Sequence, residues 1–190
     1  MVVDVKSPSP KVAKQHHSIY FPELIDQVFF HLPTALLANT VLSLLLAAVL
    51  WSEVSPQILS VWISVLWLTT IARFVQYHQY RSRTDDSVKT WAYQFSFGVI
   101  LTGIIWGSSG YFLFSEISLP HQVFLAFVLG GMVAGATTSL AALQWVLRVF
   151  VCLLIFPIIL RFLLIGGEIY FAMGIMLMIY GGMCIGLRVT

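Results

Sequence analysis

From Trp91 to the C-terminus, one hundred consecutive residues carry only five formal charges: Glu116, Arg148, Arg161, Glu168 and Arg188. A soluble domain carries roughly a quarter charged residues, because polar side chains must cover its surface. Over all 190 residues, 9% are charged and 59% hydrophobic, which excludes a water-soluble globule. The same apolar excess excludes disorder, since the chain has ample apolar area to bury. The expected class is an all-α polytopic membrane protein.

Length limits the number of spans. A transmembrane helix takes about 20 predominantly apolar residues, so six use about 120 and leave no room for an ordinary catalytic domain. The two cysteines form no disulfide framework, and the polar residues 1–18 do not read as a cleavable signal peptide. With their two Ser-Pro steps, these residues are expected to form a disordered basic arm in the cytoplasm. In 19–32, Phe21, Leu24, Ile25, Val28, Phe29 and Leu32 recur at three- and four-residue spacing around Glu23, Asp26 and Gln27. Pro22 suits a first helical turn, so this segment is expected to be an amphipathic helix lying along the membrane interface. Residues 33–190 form the six-helix transmembrane domain, with spans at about Pro33–Trp51, Ile58–Phe74, Ala92–Phe114, Val123–Leu143, Leu147–Ile165 and Ile169–Leu187.

Cytoplasmic loops retain Lys and Arg, so charge counting sets the orientation. With the N-terminus inside, nine of the ten basic residues fall on the cytoplasmic side, Arg73 among them, and Arg161 alone lies toward the outside. The three outer turns carry Glu53, Glu116 and Glu168. Both termini are therefore expected in the cytoplasm. Trp51, Tyr111 and Tyr170 fall near the outer interface and Trp91 and Trp145 near the inner one, as an aromatic belt requires. Trp62, Trp67 and Trp106 lie deeper and are expected between helices.

Lipid tails are as apolar as leucine, so membrane helices associate by close packing, which small residues at four-residue spacing permit. Gly103 and Gly107, Gly131 and Gly135, and Gly182 and Gly186 form three such pairs. Whether they pack within one chain or in a dimer with a second copy is left open by the sequence.

The central thirds of the six spans contain no Asp, Glu, His or Lys. A proton relay, an ion-coupled carrier or an intramembrane hydrolase normally needs one. Neither a catalytic residue nor a cofactor is expected, and the methionines near Cys184 read as core filler rather than a copper site. There is no Gly-Lys-Ser/Thr phosphate loop, and the few juxtamembrane basic residues do not indicate nucleic-acid binding. Arg161 reads as a snorkelling interfacial arginine. The sharper alternative joins Arg161 to Glu53, Glu116, His121 and Glu168 as an outer sensing cluster. Pro157, one turn below Arg161, is the candidate hinge.

The order of these features resembles the N-terminal multi-pass membrane sensor region of bacterial diguanylate cyclases (GGDEF/EAL proteins) and sensor histidine kinases. The residues that carry the resemblance begin with Leu32-Pro33, Leu50-Trp51, Ala72-Arg73-Phe74 and Tyr80-Arg81. Trp91-x3-Phe95-x2-Gly98, Gly103-x2-Trp106-Gly107, Pro120-His121-Gln122-Val123-Phe124-Leu125 and Gly131-Met132-x-Ala134-Gly135-Ala136 complete it. In such proteins the last span leads into a catalytic module, and this sequence holds no GGDEF run, phosphoacceptor histidine box or ATP-binding lid. The resemblance implies a non-catalytic input domain in the bacterial inner membrane. Such a domain would be a truncated or split product acting through a separately encoded cytoplasmic signalling module. A small transporter or channel subunit is the alternative.

Overall fold

The computed structural model describes residues 10–83, 87–114 and 118–186, with side chains from residue 22 onward. Six helices follow one another: α1 (Pro10–Leu50), α2 (Pro56–Arg81), α3 (Val88–Phe112), α4 (Leu119–Ser139), α5 (Gln144–Ile165) and α6 (Glu168–Gly186). No strand occurs among the described residues. Each helix contains a stretch long and apolar enough to cross a membrane, and in α1 it is Pro22–Leu50. Short connections turn each helix back on the one before it. Proline lies in the first turn of α2 and of α4, where its missing N–H costs nothing. Gly166 and Gly167 have φ of 75° and 92°, and this left-handed pair reverses the chain between α5 and α6.

The outward faces are apolar: Phe30 and Phe127 are each 79% exposed, and Leu164 is 72% exposed. In water such a surface would be one large sticky patch, whereas in a bilayer it is the ordinary lipid-facing side. This is the architecture of a multi-pass membrane protein.

The first helix differs from expectation. Residues 10–18, expected as an arm, are helical and continuous with 19–32 and with the first span. Residues 1–9 lie outside the described residues. No break occurs at Pro33, because membrane helices tolerate proline where neighbouring helices hold the backbone in place. The apolar stripe of Ile25, Val28, Phe29 and Leu32 is covered by protein. Phe29 stacks on Tyr80 with ring centroids 3.6 Å apart and meets Phe95 at 5.2 Å. The second helix also runs beyond Phe74, where its span was expected to end, as far as Arg81.

The third helix is the most buried, and its main partner is α5. Their contact explains both Gly107 and Pro157. Proline at 157 has no N–H to give to the carbonyl of Leu153, four residues earlier. That oxygen faces Gly107, where a Cβ would lie only 2.1 Å from it. The glycine hydrogen in the Cβ position therefore points at the released carbonyl, the arrangement of a weak Cα–H···O bond. Gly103 against Phe150 and Gly110 against Ile158 extend the same seam. The candidate hinge is thus part of a packed contact, and α5 runs unbroken through it.

The other glycine pairs are used differently. A Cβ at Gly131, Gly135, Gly182 or Gly186 would meet nothing within 4 Å, so none of them makes a close helix contact among the described residues. The seam between α5 and α6 uses Gly174 against Leu163 and Gly181 against Ile155 instead. Rotation of α6 about its axis selects the neighbouring glycine, and spacing along one helix carries no information about that rotation.

A cavity between helices as the candidate functional site

Polar residues of three helices meet inside the bundle. Asn39 of α1 donates from Nδ2 to Thr70 Oγ1 of α2 at 2.7 Å, and its Oδ1 accepts the Trp106 Nε1–H of α3 at 2.5 Å. Trp62 donates to the Ile105 carbonyl at 2.9 Å, with its ring edge-on to Trp106 at 5.2 Å. Trp67 donates to Ser43 Oγ at 3.2 Å. Trp62 and Trp106 thus lie between helices, whereas Trp67 is 39% exposed and reaches Ser43 from the bundle's surface; each indole N–H is satisfied. Asn39 is the junction of this network. Asn39→Leu orphans the Trp106 donor, and leaving a buried donor unpaired costs about 1–3 kcal/mol. The expected result is a lower unfolding midpoint in detergent with the fold retained.

Beside this junction lies a cavity of about 240 Å³ with walls from α1, α2, α3 and α4. Its lining includes Asn39, Thr70, Arg73, Thr102, Gly131 and Gly135. Gly131 and Gly135, which make no close contact, therefore open onto a space between α1 and α4. The cavity extends to Ser139 and Leu140, at the end of α4 that leads toward Arg148.

Arg73 is the unusual member. It is only 9% exposed, and Gly98 of α3 makes room for it: a Cβ there would lie 3.2 Å from Arg73 Nε. Its guanidinium sits over the Phe95 ring at 5.3 Å. The Nε is fully buried with no acceptor, and no carboxylate among the described residues lies within ion-pair distance. Several neighbouring hydroxyls are already committed to their own helices. Thr70 donates to Leu66 O, Thr102 to Gly98 O, and Thr138 and Ser139 to Gly135 O. Arg73 thus brings a positive guanidinium to the chamber wall, while its unpaired Nε is packed against Gly98.

The sequence reading placed Arg73 at the edge of the membrane because the apolar run was ended at Phe74. In the structure eight further helical residues follow, so Arg73 lies about 12 Å along α2 from its end at 1.5 Å per residue. Two signals were present: an arginine on the helical face of Thr69 and Thr70, and an isolated Gly98 in a span otherwise bulky at that level.

The members expected in an outer cluster have the following surroundings among the described residues. The connections α1–α2 and α5–α6 and the start of α4 bring Glu53, Glu168 and His121 to one end of the bundle. Arg161 is held over the rings of Tyr111 at 5.1 Å and Phe114 at 5.3 Å, so aromatic faces surround its charge. Glu168 is exposed on the first turn of α6 and forms no ion pair with Arg161. Glu53 is exposed in the first turn region, and His121 bonds locally to Ser118. Glu116 lies outside the described residues.

At the opposite, basic end, Asp26 accepts a hydrogen bond from the Tyr80 hydroxyl and pairs with Arg83 at 3.2 Å. Arg83 also covers the Tyr80 ring at 4.0 Å. The Asp26 side chain is 58% exposed, so water and salt screen the ion pair and it contributes about 0–1 kcal/mol. Tyr80→Phe keeps the stacked ring and is expected to lower stability by no more than about 1 kcal/mol, read by denaturation in detergent.

No metal-competent group of His, Cys, Asp and Glu occurs among the described residues. No protein-family model matches the chain, and neither a curated protein nor a solved structure is similar to it.

Proposed function

We propose that this chain is a non-catalytic membrane input domain of a bacterial signalling system of the cyclic-di-GMP or two-component type. In this reading it sits in the cytoplasmic membrane with both termini inside. The cavity receives the signal, and α6 passes it to a separate cytoplasmic module. One observation carries the mechanism: the cavity wall is hydrogen-bonded to the last helix. Gly131 of α4 lines the chamber, and the adjoining Gly130 carbonyl accepts the Tyr180 hydroxyl of α6 at 2.9 Å. The sixth helix is also the least buried of the six, and it packs mainly on α5. A ligand moves such an element only if it binds the two arrangements with different affinity. The open side of Gly182 and Gly186 offers a second copy of the chain a place to pack.

Fusing a diguanylate cyclase or a histidine kinase core after Thr190 tests this reading. Output that depends on the bundle, and that Tyr180→Phe uncouples, is the expected result. Output indifferent to the bundle rejects it. The same cavity also favours a small carrier or channel subunit, and solute flux in reconstituted vesicles would identify that activity.

A further inference from the structure

We infer that the cavity between α1 and α4 is a binding site for an anionic amphiphile, an oxyanion carried on an alkyl chain, with Arg73 as the residue that pairs with the acid group. The inference rests on the input-domain reading for its purpose, but not for its chemistry. A guanidinium held in a low-dielectric interior without a carboxylate is costly, and an oxyanion entering beside it supplies both the missing charge and acceptors in the matching fork geometry. No acidic residue lines the chamber, and hydroxyls of Thr70, Thr102, Thr138 and Ser139 donate to their own helices. The incoming group therefore meets Arg73 as the one arginine or lysine among the lining residues, with His31 and Thr34 of α1 also lining the chamber.

The alkyl part follows from the walls. At about 240 Å³ the chamber is smaller than the roughly 300–1,000 Å³ of a site for a drug-sized molecule, so it takes a head group and little more. The rim on α4 is glycine at 131 and 135, both exposed, and the rim on α1 includes the exposed Ala38. These small residues leave a lateral gap in a lipid-facing surface, flanked by the exposed Leu37 and Val41. A chain projecting through this gap lies among lipid tails and costs no exposure of apolar surface to water. A fully water-soluble anion would have no partner for that opening. Two sources share this chemistry, an anionic phospholipid of the bilayer and a free long-chain carboxylic acid.

The test uses the full chain in a neutral detergent, titrated in one arm with phosphatidylglycerol and in another with oleate. Phosphatidylcholine and oleyl alcohol serve as uncharged controls, and the readouts are thermal unfolding and native mass spectrometry. Saturable one-to-one binding of either anion, absent with its control, is expected, and the responding arm identifies the source. Arg73→Met is expected to weaken binding roughly ten- to a hundredfold, the range for losing a charge-assisted hydrogen bond. Gly131→Leu keeps the arginine and fills the chamber without a backbone clash, so it too must abolish binding. Equal binding by the wild type and both variants, or binding of the uncharged controls as tight as that of the anions, overturns the inference. If binding passes these tests while a fused output module ignores the ligand, the site stands and the input-domain reading fails. If output responds to the bundle but neither anion binds, the reverse holds.

Discussion

Gly107→Ala is expected to be the most damaging single-methyl change in the protein. The added carbon would lie 2.1 Å from the Leu153 carbonyl oxygen, and backbone atoms cannot rotate away as a flexible side-chain end can. The helices α3 and α5 must separate, and with them the contacts of Gly103 with Phe150 and of Gly110 with Ile158. Overpacking a well-filled core costs about 1–3 kcal/mol, and occasionally more. Because the obstacle here is backbone, the loss belongs at or above the top of that range. Set against it, alanine gains only about 0.5–1 kcal/mol over glycine from helix propensity. The clash wins. Gly131→Ala and Gly182→Ala have the same propensity gain and no obstacle, so both are expected to be neutral or slightly stabilising. Unfolding midpoints of the three variants in one detergent check the contrast. Similar midpoints for all three would show that the seam between α3 and α5 is not where Gly107 places it.

Arg73→Met is expected to stabilise the ligand-free protein. An arginine at the centre of a membrane helix costs about 2.5–3.5 kcal/mol on insertion scales, an upper bound for Arg73 at about 12 Å from the end of α2, and no carboxylate among the described residues offsets that cost. The guanidinium recovers part of it over the Phe95 ring, where a cation–π contact contributes about 0.5–2 kcal/mol. Methionine is unbranched and adaptable, so it can keep the packing of the arginine stem against Gly98. The balance favours methionine by roughly 0.5–3 kcal/mol, the span of differences between these two ranges. A thermal shift upward in neutral detergent, with an unchanged helical circular-dichroism spectrum, is the predicted measurement. A clear loss of stability would mean that Arg73 is structural in the empty protein.

The distribution of correct and missed features follows from which interactions are local. The helix number and the approximate spans were legible because bilayer thickness fixes how many apolar residues a helix needs. The tight reversal at Gly166 and Gly167 has an equally local cause, since only glycine adopts such a backbone without strain. The periodicity of Phe21 to Leu32 indicated a helix, and the segment is helical. It could not indicate whether lipid or Tyr80 and Phe95 would cover the apolar stripe, since both are apolar partners. The glycine pairs show the same limit: Gly103 and Gly107 meet a neighbour, while Gly131 and Gly135 face a space. Their spacing along the chain is identical, and what differs is the rotation of each helix toward its neighbours.

By itself, then, the charge-poor sequence determined a bundle of six apolar helices, because segment length and hydropathy are properties of each segment alone. Only the tertiary structure decided which small residues touch, which of the few charges is enclosed, and that the enclosed charge faces a chamber. Those outcomes depend on the relative rotation and depth of four helices. In the same way, an arginine counted among the basic residues of one membrane face becomes, once α2 is seen to continue to Arg81, the single buried cation of the cavity among the described residues.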